Sequence, residues 1–243
     1  MKICIVGLGN MGQSIYDALE RGGFEVVGCD KEDDLSEKVI GADAVVIAVK
    51  PQSFESIGSG ADLSGKLVIS IMAGVSVEKI IKVLGSKKIV RVMPNLPLQV
   101  GAAFSGWYAS DDVLNEEKDA IVDILMSFGT EVEVDNEDDI DKITALSGSG
   151  PAYYYYMNRA LRMKAMDMGL SEEQARKIAR GTFLGAAKLL EEGEDCSGKL
   201  ISKISSRGGT TEAAVKHLDA SGFDKILMEA VEEAYKRAKE LND

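Results

Sequence analysis

The strongest constraint in this sequence lies in its first dozen residues. Lys2–Val6 (KICIV) is a short apolar run of strand character that passes straight into Gly7-Leu8-Gly9-Asn10-Met11-Gly12, and Met11, Ile15, Ala18 and Leu19 then recur at helical spacing. A strand, a G-x-G-x-x-G turn and a helix in immediate succession make the opening unit of a dinucleotide-binding sheet. Each glycine has its own reason: Gly7 permits the tight turn, Gly9 lets the backbone approach a pyrophosphate, and Gly12 lets the helix lie close on the strand. The opening helix turns its N–H groups toward the phosphates, so Asn10 and Met11 join the cofactor-binding set. The alternative is a glycine turn with a purely structural purpose.

Strand-like and helical stretches then alternate. Apolar runs at residues 24–29, 44–49, 67–71 and 89–93, separated by helical stretches, predict a parallel sheet covered on both faces. Residues 102–108 and 131–134 read as further strands around a helix at about 112–128, and residues 31–43 leave room for one short crossover helix. Ligands of such a sheet lie outside the carboxyl ends of its strands. Asp30 ends the second strand, where a carboxylate binds a ribose 2′-hydroxyl and repels a 2′-phosphate; Lys31 beside it could answer a phosphate, and a merely solvated acid is the other reading. Lys50 and Pro51 follow the third strand and Asn95, between Pro94 and Pro97, follows the fifth. Lys50 would bring positive charge to that edge and Asn95 could orient a nicotinamide amide or a substrate, unless they are a surface lysine and a strand-ending turn.

From about residue 137 strand-like runs disappear. Helices are predicted from Pro151 to about 168, from the capping box Ser171-Glu172-Glu173-Gln174 to about 193, and over 223–241. Several long helices with wide apolar faces in so small a piece point to a homodimer or larger homo-oligomer formed through this half. The chain is therefore read as α/β, an N-terminal Rossmann-type doubly wound parallel sheet over residues 1–136 followed by an all-helical part over 137–243. Two loops in this half carry chemistry. In 145–153 (Ala-Leu-Ser-Gly-Ser-Gly-Pro-Ala-Tyr) and 205–212 (Ser-Ser-Arg-Gly-Gly-Thr-Thr-Glu), small residues and hydroxyls precede a helix, an arrangement that presents backbone N–H groups to a carboxylate or phosphate and that plain helix caps also show.

Composition closes off other classes. With 28 Lys+Arg against 40 Asp+Glu, the net charge of −12 makes nucleic acid and anionic membranes poor partners. No apolar stretch has the ~18–20 residues of a membrane span, and no signal-peptide pattern opens the chain. The single histidine, His217, leaves little room for a His-based metal site or a Ser-His-Asp triad, so no metal is expected and His217 reads as structural. Cys4, Cys29 and Cys196 are an odd, widely spaced set, with Cys4 and Cys29 expected in the core and a reducing, cytoplasmic location implied.

In this order, the motifs resemble those of the pyrroline-5-carboxylate reductase family over nearly the whole chain. The carriers are the glycine turn with Asn10-Met11, Val49-Lys50-Pro51-Gln52, Met93-Pro94-Asn95, Ser147-Gly-Ser-Gly-Pro-Ala152 and Gly208-Gly209-Thr210-Thr211, of which the last two are the specific ones. The resemblance implies a helical dimerisation domain and the reduction of a cyclic imine to L-proline, the last step of proline biosynthesis, by hydride from NAD(P)H, with NADH against NADPH left open. It implies catalytic roles for Thr211, Ser206 and Lys50, substrate carboxylate binding by Gly209, Thr210 and Ser149, and cofactor binding by Gly7, Gly9, Asn10, Met11, Gly12, Asp30, Lys50, Pro51 and Asn95. An imine, especially when protonated, is already electrophilic, so positioning matters more than a strong acid or base. Arg207 stands where the family usually has Pro, and Leu96 where it usually has Thr. The 31–43 connection is shorter than the family's usual arrangement, which adds a strand there.

Overall fold

A strand buried on both faces needs an unbroken apolar run rather than an alternating one. In the computed structural model, which describes residues 1–57 and 62–241, this holds for the central strands β1 (Lys2–Val6), β3 (Ala44–Ile47), β4 (Leu67–Ser70) and β5 (Ile89–Met93), apart from Ser70 at the end of β4 and Arg91 within β5, with β2 (Glu25–Cys29) at one edge and β6 (Ala103–Ala109) and β7 (Gly129–Glu133) beyond β5. The order is β2-β1-β3-β4-β5-β6-β7. Because β2 and β3 lie on opposite sides of β1, the strand order reverses there, and the glycine turn leaves the sheet at this switch point.

Period-2 alternation sends β1 into two cores. Ile3 and Ile5 face α1 (Asn10–Arg21) and α4 (Asn115–Met126) in one cluster with Ile15, Leu19, Trp107 and Phe128. Cys4 and Val6 face the other, with Ile47, Phe54 and Ile80, beneath α2 (Leu35–Lys38) and α3 (Val77–Leu84). Cys4 and Cys29 are thus small core residues, and burial, with the neighbouring Cys29, pushes the Cys4 thiol up to about 11. The 31–43 connection holds only the four-residue α2.

The expected parallel sheet is present in β1 to β5, which all pair parallel; β6 runs antiparallel to β5, while β6 and β7 are parallel to each other. A parallel crossover takes about a dozen residues or more, and only residues 94–102, a short 3₁₀ turn included, separate β5 from β6. The chain has to fold back. Between β6 and β7 the helix α4 supplies the length for a parallel return.

A buried cation ties the end of the sheet to the segment beyond β7. Arg91 of β5 is 2% exposed, and its Nη1 donates to Glu137 Oε1 at 2.6 Å while Nη2 lies 3.7 Å from Asp141 Oδ1 in α5 (Asp139–Ile143). The same Glu137 oxygen accepts the Val77 N–H that opens α3, at 2.8 Å. One carboxylate therefore joins β5, α3 and the approach to α5. A π-helical turn, Thr144–Gly148, continues α5, with the Ser149 N–H donating to the Thr144 carbonyl at 2.9 Å.

The chain divides into two compact units, residues 1–151 with 232–243, and residues 152–231. Residues 139–151 thus pack with the sheet although they follow its last strand. Helices account for the rest: α6 (Gly150–Asp167), α7 (Glu172–Glu192), α8 (Ser197–Ile204), α9 (Thr210–Ala220) and α10 (Phe223–Glu240). The capping box of α7 forms, Ser171 Oγ accepting the Gln174 N–H and Gln174 Oε1 accepting the Ser171 N–H. Yet α7 buries only Ala175 and Ala179 over its 21 residues, and Tyr154, Tyr155, Tyr156, Leu184 and Ile204 are exposed. Among the described residues no helix is long and apolar enough to cross a membrane, and no cluster of three His, Cys, Asp or Glu residues could hold a metal ion.

Two stability measurements test this packing. A Cβ at Gly12 would stand 1.9 Å from the Gly7 carbonyl oxygen, so Gly12→Ala should cost about 1–3 kcal/mol of overpacking, read as a lower urea midpoint; an unchanged midpoint would show that α1 can retreat freely. Arg91→Met leaves Asp141 and Glu137 without their shared cation and should destabilise by about 3–5 kcal/mol, against well under 1 kcal/mol for loss of the exposed pair Lys225–Glu229. Equal effects of the two changes would remove Arg91 from this structural role.

Candidate active site

Parallel register lines up one edge of the sheet. Val6 pairs with Cys29 on one side and Ile47 on the other, and Ile47 pairs with Ser70. The residues that follow these strand ends, the 7–12 turn, Asp30 and 48–51, therefore emerge side by side. Backbone bonds hold the row: the Gly7 N–H donates to the Cys29 carbonyl at 2.8 Å and the Ala48 N–H to the Val6 carbonyl at 2.9 Å.

Within the turn the glycines differ. Gly7 has φ +93°, a left-handed value that favours glycine, and Gly12 packs on the Gly7 carbonyl and the Ala48 side chain. Gly9 has an ordinary φ of −70°, and a Cβ there would meet nothing within 4 Å. No protein atom needs a glycine at position 9, so the space beside it fits a group brought in from outside, as a dinucleotide pyrophosphate would be. Gly9 is also the N-cap of α1, and no side chain caps the first-turn N–H groups of Asn10, Met11 and Gly12, unlike Ser76 on α3. The turn thus offers uncapped donors and open space together.

Asp30 is exposed beside this turn, and its own N–H donates to Asp33 Oδ2 at 2.9 Å. That bond, with Lys38 3.0 Å from the other oxygen, holds the Asp33 carboxyl below the usual range. Lys50 is exposed and leads into a 3₁₀ turn that begins at Pro51. Asn95 is tied at both ends of its amide: Oδ1 accepts the Phe104 N–H at 3.0 Å and Nδ2 donates to Ser147 Oγ at 3.2 Å. It bridges the loop after β5, the start of β6 and the π-helical turn. A nicotinamide or substrate could use its second amide hydrogen or the remaining lone pair of Oδ1. Ser147 is the residue that sequence reasoning passed over here, since the hydroxyl in the 145–153 cluster singled out for substrate was Ser149, two positions on.

The second loop lies in the helical unit. The Gly209 N–H donates to the Ser206 carbonyl at 2.9 Å, closing a turn over 206–209 in which Gly208 has φ +73°. Ser206 folds over Gly209 so closely that a Cβ there would stand 2.6 Å from Ser206 Oγ. Gly209 then caps α9 without a side-chain bond, and Thr210, Thr211 and Glu212 form its first turn. The first three N–H groups of a helix have no intrahelical acceptor, so this turn presents donors beside two threonine hydroxyls. Thr211 is half-buried; Ser206, Arg207 and Thr210 are exposed, as is His217 further along α9. Glu212, absent from the expected set, accepts the Gly208 N–H through Oε2 at 2.7 Å.

A sequence family described as pyrroline-5-carboxylate reductase dimerisation matches residues 137–241, and one described as the NAD-binding domain of 6-phosphogluconate dehydrogenase matches residues 2–93. The pyrroline-5-carboxylate reductase of Aquifex aeolicus is 36% identical, the alignment covering 99% of this chain and 97% of that protein. A solved pyrroline-5-carboxylate reductase from Coxiella burnetii superposes with a TM-score of 0.90 at 34% identity, over 99% of this chain and 98% of that one. The Plasmodium falciparum enzyme, solved with NADP bound, gives a TM-score of 0.90 at 29% identity, over 100% and 98% of the two chains. The chain belongs to the pyrroline-5-carboxylate reductase family.

Proposed function

We propose that this protein reduces 1-pyrroline-5-carboxylate to L-proline with hydride from NAD(P)H, acting as a cytoplasmic homo-oligomer. The observation that carries the reading is the match to relatives of that name along both parts of the chain, the glycine turn at α1 and the 206–211 loop at α9 included. In this reading residues 1–136 serve the dinucleotide and residues 137–243 serve substrate and assembly.

Residues 7–12 would hold the pyrophosphate through the uncapped start of α1, Asp30 the adenosine ribose, and Lys50, Pro51 and Asn95 the nicotinamide end. When bound, the dinucleotide supplies the hydride. The chain's own part is placement. The N–H groups of Thr210 and Thr211 hold the substrate carboxylate, that of Gly209 being given to the Ser206 carbonyl, with Ser206 Oγ as a further polar contact, and the Thr211 hydroxyl approaches the ring nitrogen. Fixing the ring at its carboxylate and its nitrogen defines which face and which carbon are presented, the kind of orientation that can lower a barrier by several kcal/mol. The imine needs no strong general acid, which suits a site without histidine. The nitrogen's proton can come from solvent or from substrate that is already protonated.

Oligomerisation has a physical basis in the helical unit. Burying one Leu side chain contributes about 1.5–3 kcal/mol, and Leu184, Leu189 and Leu190 of α7 are among many left exposed in a single chain. A second copy laid on these helices would turn an exposed apolar surface into a core. The cytoplasmic assignment draws on three unpaired cysteines, Cys196 being exposed.

Oxidation of NADH and of NADPH with racemic pyrroline-5-carboxylate tests the reading directly; reduction of pyrroline-2-carboxylate alone would replace it with a related imine reductase. Thr211→Ala should lower kcat/KM for the imine about tenfold, the loss of one hydrogen bond of ~1–1.5 kcal/mol, with dinucleotide affinity unchanged. An unaltered rate would take Thr211 out of the site. Asp30→Ser should shift preference toward NADPH by about tenfold, since it removes a carboxylate from the 2′ position of the ribose; an unmoved NADPH-to-NADH ratio would leave Asp30 a solvated acid.

A further inference from the structure

The 206–209 turn has a weakness in its sequence and a brace outside it. With Gly208 left-handed at the third position and a bond from the fourth N–H to the first carbonyl, it has the form of a type II turn, whose second position favours proline because the ring presets φ. Arg207 occupies that position and leaves the backbone unrestrained. The ordinary capping box would send a glutamate at the third helical position back to the N-cap N–H. Here the N-cap N–H, that of Gly209, is already given to Ser206, and Glu212 reaches one residue further to the Gly208 N–H at 2.7 Å. Its other oxygen lies 3.0 Å from Lys216 Nζ one turn along α9, which offsets the negative charge this carboxylate brings to a loop meant for an anion. Both bonds favour the ionised carboxylate, whose pKa lies below the usual glutamate range, first through the Gly208 N–H and then through Lys216.

We propose that Glu212 is the positioning residue of the substrate-carboxylate loop, clamping the Gly208 peptide so that the N–H groups of Thr210 and Thr211 are arranged for a carboxylate before substrate arrives. This rests on the reductase reading above. The clamp acts on substrate binding and not on the dinucleotide, so its loss separates two Michaelis constants. Glu212→Ala should raise KM for pyrroline-5-carboxylate about tenfold, the scale of one hydrogen bond to a charged group, with KM for NADH or NADPH unchanged. Glu212→Gln, whose amide oxygen accepts the same N–H, should restore most of the affinity. Glu212→Asp keeps the charge at the helix start but is one methylene too short to reach Gly208, and should behave like the alanine variant. Arg207→Pro, which supplies the missing φ restraint, should reduce the effect of Glu212→Ala, so that the double-mutant cycle shows coupling.

Steady-state kinetics of the full-length wild type and these variants, with thermal melting as a control for folding, decides the matter. An alanine variant with wild-type KM for the imine overturns the proposal, as does an aspartate variant that matches the wild type, which would reduce Glu212 to a charge at a helix end. If the alanine variant does not fold, the aspartate–glutamine contrast answers the question alone. A wild type that leaves pyrroline-5-carboxylate unreduced overturns the reductase reading itself, whereas an active wild type with insensitive Glu212 variants overturns only the clamp.

Discussion

The 1.9 Å that would separate a Gly12 Cβ from the Gly7 carbonyl oxygen governs the dinucleotide half of this protein. Because that Cβ is absent, α1 starts close on the end of β1, with its first-turn N–H groups free of any side-chain cap. The Gly7 N–H is bonded to the Cys29 carbonyl, one residue before Asp30, so the glycine turn and the end of β2 share one backbone frame. A larger residue at position 12 would tilt α1 and misplace the donors. The same contact therefore sets both the packing of α1 and the place of its free N–H groups.

The two parts of the chain reach order by different means. Trp107, Phe128 and the β-branched residues of the central strands fill two cores on either side of the sheet. The helical unit has few buried side chains beyond Ala175 and Ala179, and its tyrosines and leucines remain exposed in a single chain. Small residues at those two positions allow close approach without providing a core of their own. An assembly of copies supplies the missing apolar contacts, which is why helices that look amphipathic by periodicity show little burial by themselves.

Much of the fold could be read from local pattern. Unbroken Val/Ile runs marked the central strands, Ser171 with Gln174 marked the start of α7, and the glycine turn marked the switch point, because each depends on residues a few positions apart. The antiparallel direction of β6 is set by its nine-residue connection to β5, too short for a parallel crossover. In the candidate site, the residue types at positions 7–12 and 206–211 were visible in advance. The double tether of Asn95 was not, since its partner Ser147 lies 52 residues away in sequence. Arg91 fell inside the strand-like run 89–93, and its buried pair with Glu137, 46 residues on, has no local signature.

Sequence alone determined the class of sheet, the place of the glycine turn and the helical character of the second half, because backbone freedom at glycine and hydrophobic periodicity are properties of short stretches. Tertiary structure decided the order of the strands, the return of β6, the tethering of Asn95 and the reach of Glu212 past the N-cap to Gly208. Those outcomes depend on which donors and acceptors remain unpaired once the chain has closed on itself. A short-range pattern specifies what each group can bond to, and only the folded chain specifies which partner is within reach.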